Sequence, residues 1–213
     1  MAAAEPDRDC RLCPRLAAFR DDWRGREPAW HNGPVATFGP ANARLLIVGL
    51  APGVKGANRT GRPFTGDFAG DLLYQTLIKF GLARGRYAAR PDDGLELMDA
   101  AITNAVRCVP PQNKPTPGEI AQCRRFLEAT IGQMPRLKAM LALGRIAHDS
   151  VVRTLGLKLS RAPFAHGAVH EAGAGFRLYD SYHCSRYNTN TRRLTAEMFE
   201  AVFAAICDDL SAR

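Results

Sequence analysis

The sequence of 213 residues lacks a hydrophobic run long enough to cross a bilayer; its longest apolar runs are short stretches such as residues 45–50. A transmembrane helix needs about 20 apolar residues, so a membrane-spanning protein is excluded, and we expect no membrane partner. The first residues are polar and acidic, where a secretion signal would be basic and then apolar. We therefore expect a cytoplasmic protein.

The sequence also lacks repeats, low-complexity tracts and the composition of a disordered chain. Hydrophobic residues make up 46% and charged residues 23% of the chain, and both fractions are ordinary for a globular protein. At this length we expect one domain over residues 1–213, large enough to bury a core. The 29 Lys and Arg exceed the 21 Asp and Glu and give a net charge of +8. This surplus favours a polyanionic partner, and the alternative is an ordinary solvated basic surface.

Two nucleotide-binding patterns are missing from the glycine-rich loop that follows the first predicted strand. Gly56 and Gly61 have the spacing of a P-loop, but Arg62-Pro63 stands where Lys-Ser/Thr should be. The pattern Gly-x-Gly-x-x-Gly is absent as well. The glycines let a backbone approach a ligand closely, and the aromatic ring of Phe64 fits a planar ligand stacked on it. The alternative is an ordinary connection with Phe64 in the core.

Apolar strands alternate with helices along the chain, a pattern typical of α/β proteins. The predicted strands are 44–50, 100–103, 139–143 and 176–182, and the main predicted helices are 71–80, 117–134, 145–155 and 195–210. This order predicts a three-layer α/β/α sandwich around a central, mainly parallel four-stranded sheet. Ligands of such sheets bind at the carboxyl ends of the strands. The loops 51–68 and 184–194, with Asn104 and His183, should therefore converge on one cleft.

Four of the six cysteines form a pattern typical of a metal centre, at positions Cys10, Cys13, Cys108 and Cys123. A Cys-x-x-Cys pair places two thiolates on one side of a tight turn. The second pair is spaced more widely than in a zinc knuckle, and four thiolates with one wide pair suit an iron–sulfur cluster. Zinc is the first alternative, and four unrelated buried thiols are the second.

Three segments together resemble the iron–sulfur uracil-DNA glycosylases, and they are most similar to the fifth family, the type B enzymes of bacteria and archaea. Residues 49–67 resemble motif 1 of that family, and residues 182–195 resemble motif 2. Residues 102–108 resemble the segment that joins a base-reading Asn to the third cluster cysteine. Because the four cysteine positions match as well, the resemblance runs from Cys10 to about Thr195.

The resemblance implies a role for each matched residue. The four cysteines would ligate a [4Fe–4S] cluster that is mainly structural in this family. Phe64 would stack on the flipped base, Asn104 would read the uracil edge, and His183 would contact the uracil oxygen that gains charge as the bond breaks. The remaining residues expected to bind the substrate base are Ala51, Gly53 and Ser185.

Two positions bear on how the family chemistry would be carried out here. Leu50-Ala51 offers no acidic or amide side chain to position water, as is typical of the fifth family. Asn58 or Asp67 would then hold the water, and both remain open. Cys184 stands where the family usually has Pro after the motif 2 histidine, which leaves that loop less constrained.

Basic and polar residues of the two cleft loops are expected to contact DNA phosphates, which would make binding salt-dependent. The predicted DNA-binding residues are Arg59, Arg62, Arg186, Asn188 and Arg192. The loop from Ser185 to about Arg193 would enter the duplex beside the lesion. The resemblance implies a DNA repair glycosylase, expected to be a monomer, that flips and excises uracil, and other deaminated bases such as hypoxanthine, from double-stranded DNA. The alternatives are a non-catalytic iron–sulfur protein that binds damaged nucleic acid and a small structural zinc domain.

Overall fold

The computed structural model describes residues 5–173 and 175–212. Within them the main sheet has the strand order β4-β1-β5-β7-β6, and two short strands, β2 and β3, form a separate antiparallel pair. The strands are β1 Leu45–Gly49, β2 Ala83–Arg84, β3 Glu96–Leu97, β4 Ala100–Asn104, β5 Ala139–Leu143, β6 Val169–Glu171 and β7 Arg177–Ser181. The strands β4, β1, β5 and β7 are parallel, and β6 joins β7 antiparallel.

Helices cover both faces of this sheet. They are α1 Pro14–Arg26, α2 Ala57–Thr60, α3 Phe68–Lys79, α4 Pro117–Gly132, α5 Arg145–Thr154, α6 Arg186–Asn190 and α7 Ala196–Ser211, with 3₁₀ turns at Pro111–Asn113 and Leu159–Arg161. A capping box of Thr116 and Glu119 begins α4, with both hydrogen bonds formed. In the part of the chain that the structure describes, no helix combines the length and the apolar character that a membrane span requires.

The core lies in two apolar layers, one on each side of the sheet. Leu73 of α3 and Phe203 of α7 share one cluster with Ile47. Leu127 of α4 and the neighbouring α5 pack on the other face, against Val48. Successive side chains of β1 therefore point to opposite faces, as strand geometry requires. The predicted three-layer α/β/α arrangement around a mainly parallel sheet is confirmed.

The prediction of four strands in the main sheet is wrong in number. The segment between the predicted helix 145–155 and the predicted strand 176–182, where no strand is predicted, contains β6, which lies at the edge of the sheet. Two of the three residues of β6 are exposed, and Val169 is 48% exposed. Such a short, solvated edge strand carries no continuous apolar run, which is the signal that identified the buried strands.

The strand register brings the predicted site residues to one edge. Gly49 at the end of β1 lies opposite Asn104 at the end of β4, and Leu143 lies opposite Ser181, two residues before His183. All residues of β1, β4 and β5 are buried, so the strand ends that carry this edge are fixed by packing on both faces of the sheet.

Candidate active site and cysteine site

A cavity of about 290 Å³ lies at the carboxyl edge of the sheet, between the loop after β1, the end of β4 and the loop after β7. Its lining includes all the residues that the sequence predicted to bind substrate, namely Ala51, Gly53, Phe64, Asn104 and Ser185, together with Asp67 and His183. The predicted convergence of these loops is therefore present. Asn113, from a proline-rich turn that sequence reasoning left without a role, also lines the cavity.

The Phe64 ring and the Asn104 amide both lie close to Gly49, at the end of β1. The Phe64 ring is 6% exposed and stacks on His183, with ring centroids 5.8 Å apart. A Cβ on Gly49 would lie 2.5 Å from Asn104 Oδ1 and 2.6 Å from Phe64 Cζ. Only glycine at position 49 lets the ring and the amide approach the strand end this closely.

His183 is held as a neutral imidazole. Burial lowers its pKa to about 4, because a charged ring loses its hydration inside the protein. Its Nδ1 is buried without a hydrogen-bond partner within the described residues. The backbone carbonyl of His183 accepts a 2.8 Å hydrogen bond from the Asn188 side chain. Asn188, predicted to contact DNA, thus supports the backbone of His183.

The two residues proposed to hold water occupy different surroundings. Asp67 lines the cavity, and its Oδ1 is buried without a hydrogen-bond partner among the described residues. Burial raises the pKa of Asp67. Its carboxylate packs directly on Gly56, where a Cβ would lie 2.4 Å from Oδ2. Asn58 is absent from the cavity lining and donates a 2.9 Å hydrogen bond to Asn32 Oδ1. The geometry therefore favours Asp67 over Asn58.

The predicted phosphate contacts divide into exposed and buried residues. Arg59, Arg186 and Arg192 are exposed, and the Arg186 guanidinium lies 5.2 Å from the Phe68 ring centre. Arg62 is only 5% exposed and forms two 2.8 Å hydrogen bonds to Asp93. A guanidinium that is buried and paired cannot reach a phosphate. The structure therefore contradicts the predicted phosphate contact of Arg62.

The four patterned cysteines meet on the side of the molecule where α1 packs against α4. Cys10, Cys13, Cys108 and Cys123 belong to one apolar cluster with Leu16, Val106 and Phe126. All four are unpaired thiols. Burial raises the pKa of Cys108 to about 12 and that of Cys123 to about 11. They would become thiolates only with a compensating positive centre between them.

N–H groups of two arginines lie beside these cysteines. The backbone N–H of Arg107 donates to Cys123 Sγ at 3.2 Å. Arg20 is 1% exposed and donates from Nη1 to the Cys10 carbonyl, and its charge lowers the pKa of Cys108. Its Nε and Nη2 have no hydrogen-bond partner within the described part of the chain. This donor set fits a bound group that carries negative charge on sulfur.

Sequence reasoning missed a buried polar group three residues before His183. Asp180 accepts hydrogen bonds at 2.7 Å from His148 Nδ1 and at 3.1 Å from His170 Nε2. His148 Nε2 donates to the Ala162 carbonyl at 2.8 Å. Burial alone would lower the pKa of His148, but the Asp180 carboxylate outweighs it and raises the pKa above its ordinary value. No spacing motif marks this group, because its members come from a helix and two strands.

Comparison with known proteins agrees with this geometry. The model of the uracil DNA glycosylase superfamily matches residues 36–207. A type-5 uracil-DNA glycosylase of Thermus thermophilus is 48% identical over 196 residues, covering 89% of each chain. A type-5 uracil-DNA glycosylase of Pyrobaculum aerophilum is 40% identical over 94% of this chain and 89% of its own. A type-4 uracil-DNA glycosylase of Archaeoglobus fulgidus is 30% identical over 70% of this chain and 69% of its own.

Proposed function

The chain belongs to the uracil DNA glycosylase superfamily, and from this premise we propose that it is a DNA repair N-glycosylase that excises uracil from DNA. It hydrolyses the N-glycosidic bond and leaves an abasic site. The observation that carries this proposal is the single cavity in which Phe64, Asn104, Asp67 and His183 converge. The likeness to type-5 enzymes over most of both chains supports it.

Base recognition begins with extrusion of the nucleotide, because its reacting atom is inaccessible inside the duplex. Phe64 offers a flat apolar face for the flipped base. The amide of Asn104 presents one acceptor and two donors, which complements the carbonyl and N–H groups along the uracil edge. Because Asn104 ends β4, a strand whose residues are all buried, its orientation is held before the base arrives.

His183 stabilises the leaving base. With its pKa lowered to about 4, the ring is neutral at physiological pH and carries one N–H. That N–H donates to the uracil oxygen on which negative charge develops as the bond to the sugar breaks. A neutral donor serves here because the interaction strengthens as charge builds up, in a site from which bulk water is largely removed.

Asp67 holds the attacking water. Its unpartnered Oδ1 accepts a hydrogen bond from a water molecule in the cavity. Its negative charge also stabilises the sugar, which becomes cation-like as the base departs. Since such a sugar is attacked readily, the carboxylate orients the water more than it activates it. Asn58 does not line the cavity; its hydrogen bond to Asn32 stabilises the loop after β1.

The substrate is double-stranded DNA that contains uracil or another deaminated base such as hypoxanthine. Arg59, Arg186 and Arg192 contact the phosphates, so that affinity falls with salt. The short helix α6 after Ser185 enters the duplex, and its Tyr187 side chain is 72% exposed. The protein acts as a monomer, as a single domain in which the cysteine site braces the N-terminal segment.

The four cysteines hold a [4Fe–4S] cluster, which when bound supplies a structural cross-link. The N–H donors of Arg107 and Arg20 beside these cysteines favour a cluster over zinc, because they suit the negative charge on its sulfurs. Reduced thiols that bind a cluster fit a reducing compartment such as the cytoplasm.

The test is single-turnover cleavage of end-labelled duplexes that carry one uracil or one hypoxanthine, with alkali to reveal abasic sites. His183→Ala and Asn104→Ala are assayed beside the wild type, with an unmodified duplex as control. We expect release by the wild type and a loss of at least about tenfold in each variant. If protein that retains its cluster binds the uracil duplex but releases no base, the proposed glycosylase activity is overturned. The alternative, a non-catalytic binding protein, is then favoured.

A further inference from the structure

Arg62 lies buried beside the cavity, although an arginine in a loop would ordinarily reach solvent. We propose that Arg62, paired with Asp93, is a positioning residue that holds Phe64 in the orientation in which it stacks on the flipped base. The inference rests on the proposed function, since it concerns the stacking role of Phe64. It replaces the phosphate contact expected of Arg62 with a role inside the protein.

The guanidinium of Arg62 uses each of its three nitrogens. Nη1 and Nη2 each donate to one carboxylate oxygen of Asp93 at 2.8 Å, and Nε donates to Thr65 Oγ1 at 2.7 Å. The Asp93 side chain is only 1% exposed. A paired fork of this kind fixes direction as well as distance. Arg62 thus links Thr65, the residue after Phe64, to the Asp93 carboxylate.

Aromatic rings enclose the same guanidinium. Its central carbon lies 5.3 Å from the ring centre of Phe38, 5.4 Å from that of Tyr74 and 5.8 Å from that of Tyr87. The two tyrosine rings also stack on each other, with centroids 4.6 Å apart. These cation–π contacts orient the tyrosines as well as the arginine.

The two tyrosines in turn hold the backbone of the stacking residue. The Tyr74 hydroxyl donates to the Pro63 carbonyl at 2.6 Å, and the Tyr87 hydroxyl donates to the Phe64 carbonyl at 3.1 Å. Phe64 has a φ of +51°, in the left-handed region that non-glycine residues rarely adopt. That conformation is strained and persists only where the surroundings determine it strongly.

The ion pair also connects two loops. Asp93 accepts hydrogen bonds from the backbone N–H groups of Ala88 and Leu95, at 2.8 and 3.2 Å. A buried ion pair is weak evidence for stability, since apolar residues of equal size often serve as well. What apolar residues cannot supply is a set of directed bonds to Thr65 and to a second loop. The pair is therefore explained by the geometry that it imposes.

The test is a double-mutant cycle on uracil excision with Arg62→Lys, which keeps the charge and loses the fork, in wild-type and Phe64→Ala backgrounds. We expect Arg62→Lys to lower the single-turnover rate about tenfold in the wild type, with a change in duplex KM of less than about threefold. In the Phe64→Ala background it should lower the rate less than about twofold, because no ring remains to be positioned.

A merely structural role would give the same factor in both backgrounds, and that result would overturn the proposal. The matched control is Arg84→Lys, which alters an exposed ion pair with Glu96 in the neighbouring hairpin and should leave the rate unchanged. If Arg62→Lys does not fold, Asp93→Asn takes its place in the same cycle. No base release by the wild type would overturn the proposed function and this inference together; release with equal losses overturns the inference alone.

Discussion

The cavity and the cysteine site both contain buried polar atoms without hydrogen-bond partners, but the two sets differ in character. In the cavity, within the described residues, these atoms are a carboxylate oxygen of Asp67 and a ring nitrogen of the neutral His183. At the cysteine site, again among the described residues, they are two N–H groups of Arg20 and the Nε–H of Arg107, and both side chains are permanent cations. A buried polar group without a partner costs free energy, so each set indicates the group that is missing.

The difference predicts how each site uses its ligand. The Asp67 oxygen needs a donor such as water, and the His183 N–H needs an acceptor on the base. Both ligands bind in each turnover and then leave. The arginine N–H groups await electron pairs on a bound group that stays. Substitutions in the cavity should therefore lower the rate and spare stability, whereas substitutions at the cysteine site should lower stability first.

The largest effect is expected at the cysteine site. Cys108→Ser should abolish the visible absorption expected of the proposed cluster and lower Tm by about 10 °C or more, because metal binding contributes folding free energy that the apoprotein lacks. The measurements are absorption spectroscopy, iron content and thermal unfolding. Cys207→Ser, at a half-buried cysteine outside the cluster site, is the control and should keep the iron. An unchanged iron content in Cys108→Ser would contradict the ligand assignment.

The next effect is expected at His183. His183→Ala should lower the single-turnover rate about 10²- to 10³-fold, since it removes a hydrogen bond that strengthens as charge develops. Tm should stay within about 3 °C of the wild type, because the ring's unpartnered nitrogen contributes no bond to the fold. Rate and Tm are measured on the same preparation. If His183→Ala instead lowers both Tm and iron content strongly, His183 supports the fold, as the cysteines do, and not the reaction.

Asp67 should show opposite effects on rate and stability. Burial raises its pKa above the ordinary value of 3.8, so the folded protein binds this proton more tightly than the unfolded chain. The stability that this gives is complete below the unfolded pKa and is lost as pH rises through the folded pKa. Asp67→Asn should therefore unfold at an equal or higher denaturant concentration than the wild type at neutral pH.

The excision rate should move the other way. In the wild type it should rise with pH through the raised pKa, as the carboxylate forms and orients water. Asp67→Asn should excise uracil at least about tenfold more slowly. Its rate should also no longer rise with pH through this range. Asn58→Ala is the matched variant and should lower stability more than rate, since it removes the buried bond to Asn32. A larger loss of excision rate in Asn58→Ala than in Asp67→Asn would show that Asn58 holds the water.

Sequence reasoning located the cavity because its signals are local and additive. Strands end where apolar runs stop, parallel strands end at one edge, and His183 and Asn104 follow those ends directly. It could not choose between Asn58 and Asp67, because both lie in one polar loop. Only the turn of α2 places Asn58 against Asn32 and leaves Asp67 in the cavity.

Arg62 shows the limit of such reasoning most plainly. Its neighbours Gly61 and Pro63 are typical of an exposed loop, and a positive charge there favours a phosphate contact. Its partner Asp93 lies 31 residues away in a turn that has no motif. Burial and pairing are properties of the folded chain, and no local pattern records them. The same holds for Asp180 and its two histidines.

His148 and Asp180 differ from both sites, because their buried polar atoms are hydrogen-bonded to each other and to their neighbours. His148 donates to Asp180 and to the Ala162 carbonyl, so it should contribute to stability rather than to the rate. Its pKa is raised in the folded protein, so its contribution is complete below the unfolded pKa and is lost as pH rises through the folded pKa. His148→Gln should therefore lose more unfolding free energy at about pH 6 than at about pH 9. Equal losses at both would contradict a protonated His148.

The smallest effect is expected outside both sites, at the exposed ring of Tyr187. A side chain that is 72% exposed on α6 contributes little to the fold, so Tyr187→Ala should leave Tm unchanged. If the ring fills the space that the flipped nucleotide leaves, its loss should slow excision from a uracil·adenine pair by about tenfold or less, through the cost of unstacking. Excision from single-stranded DNA should be unaffected, because no stack has to be opened. Equal losses on single and double strands would instead assign Tyr187 to general backbone binding, beside Arg186.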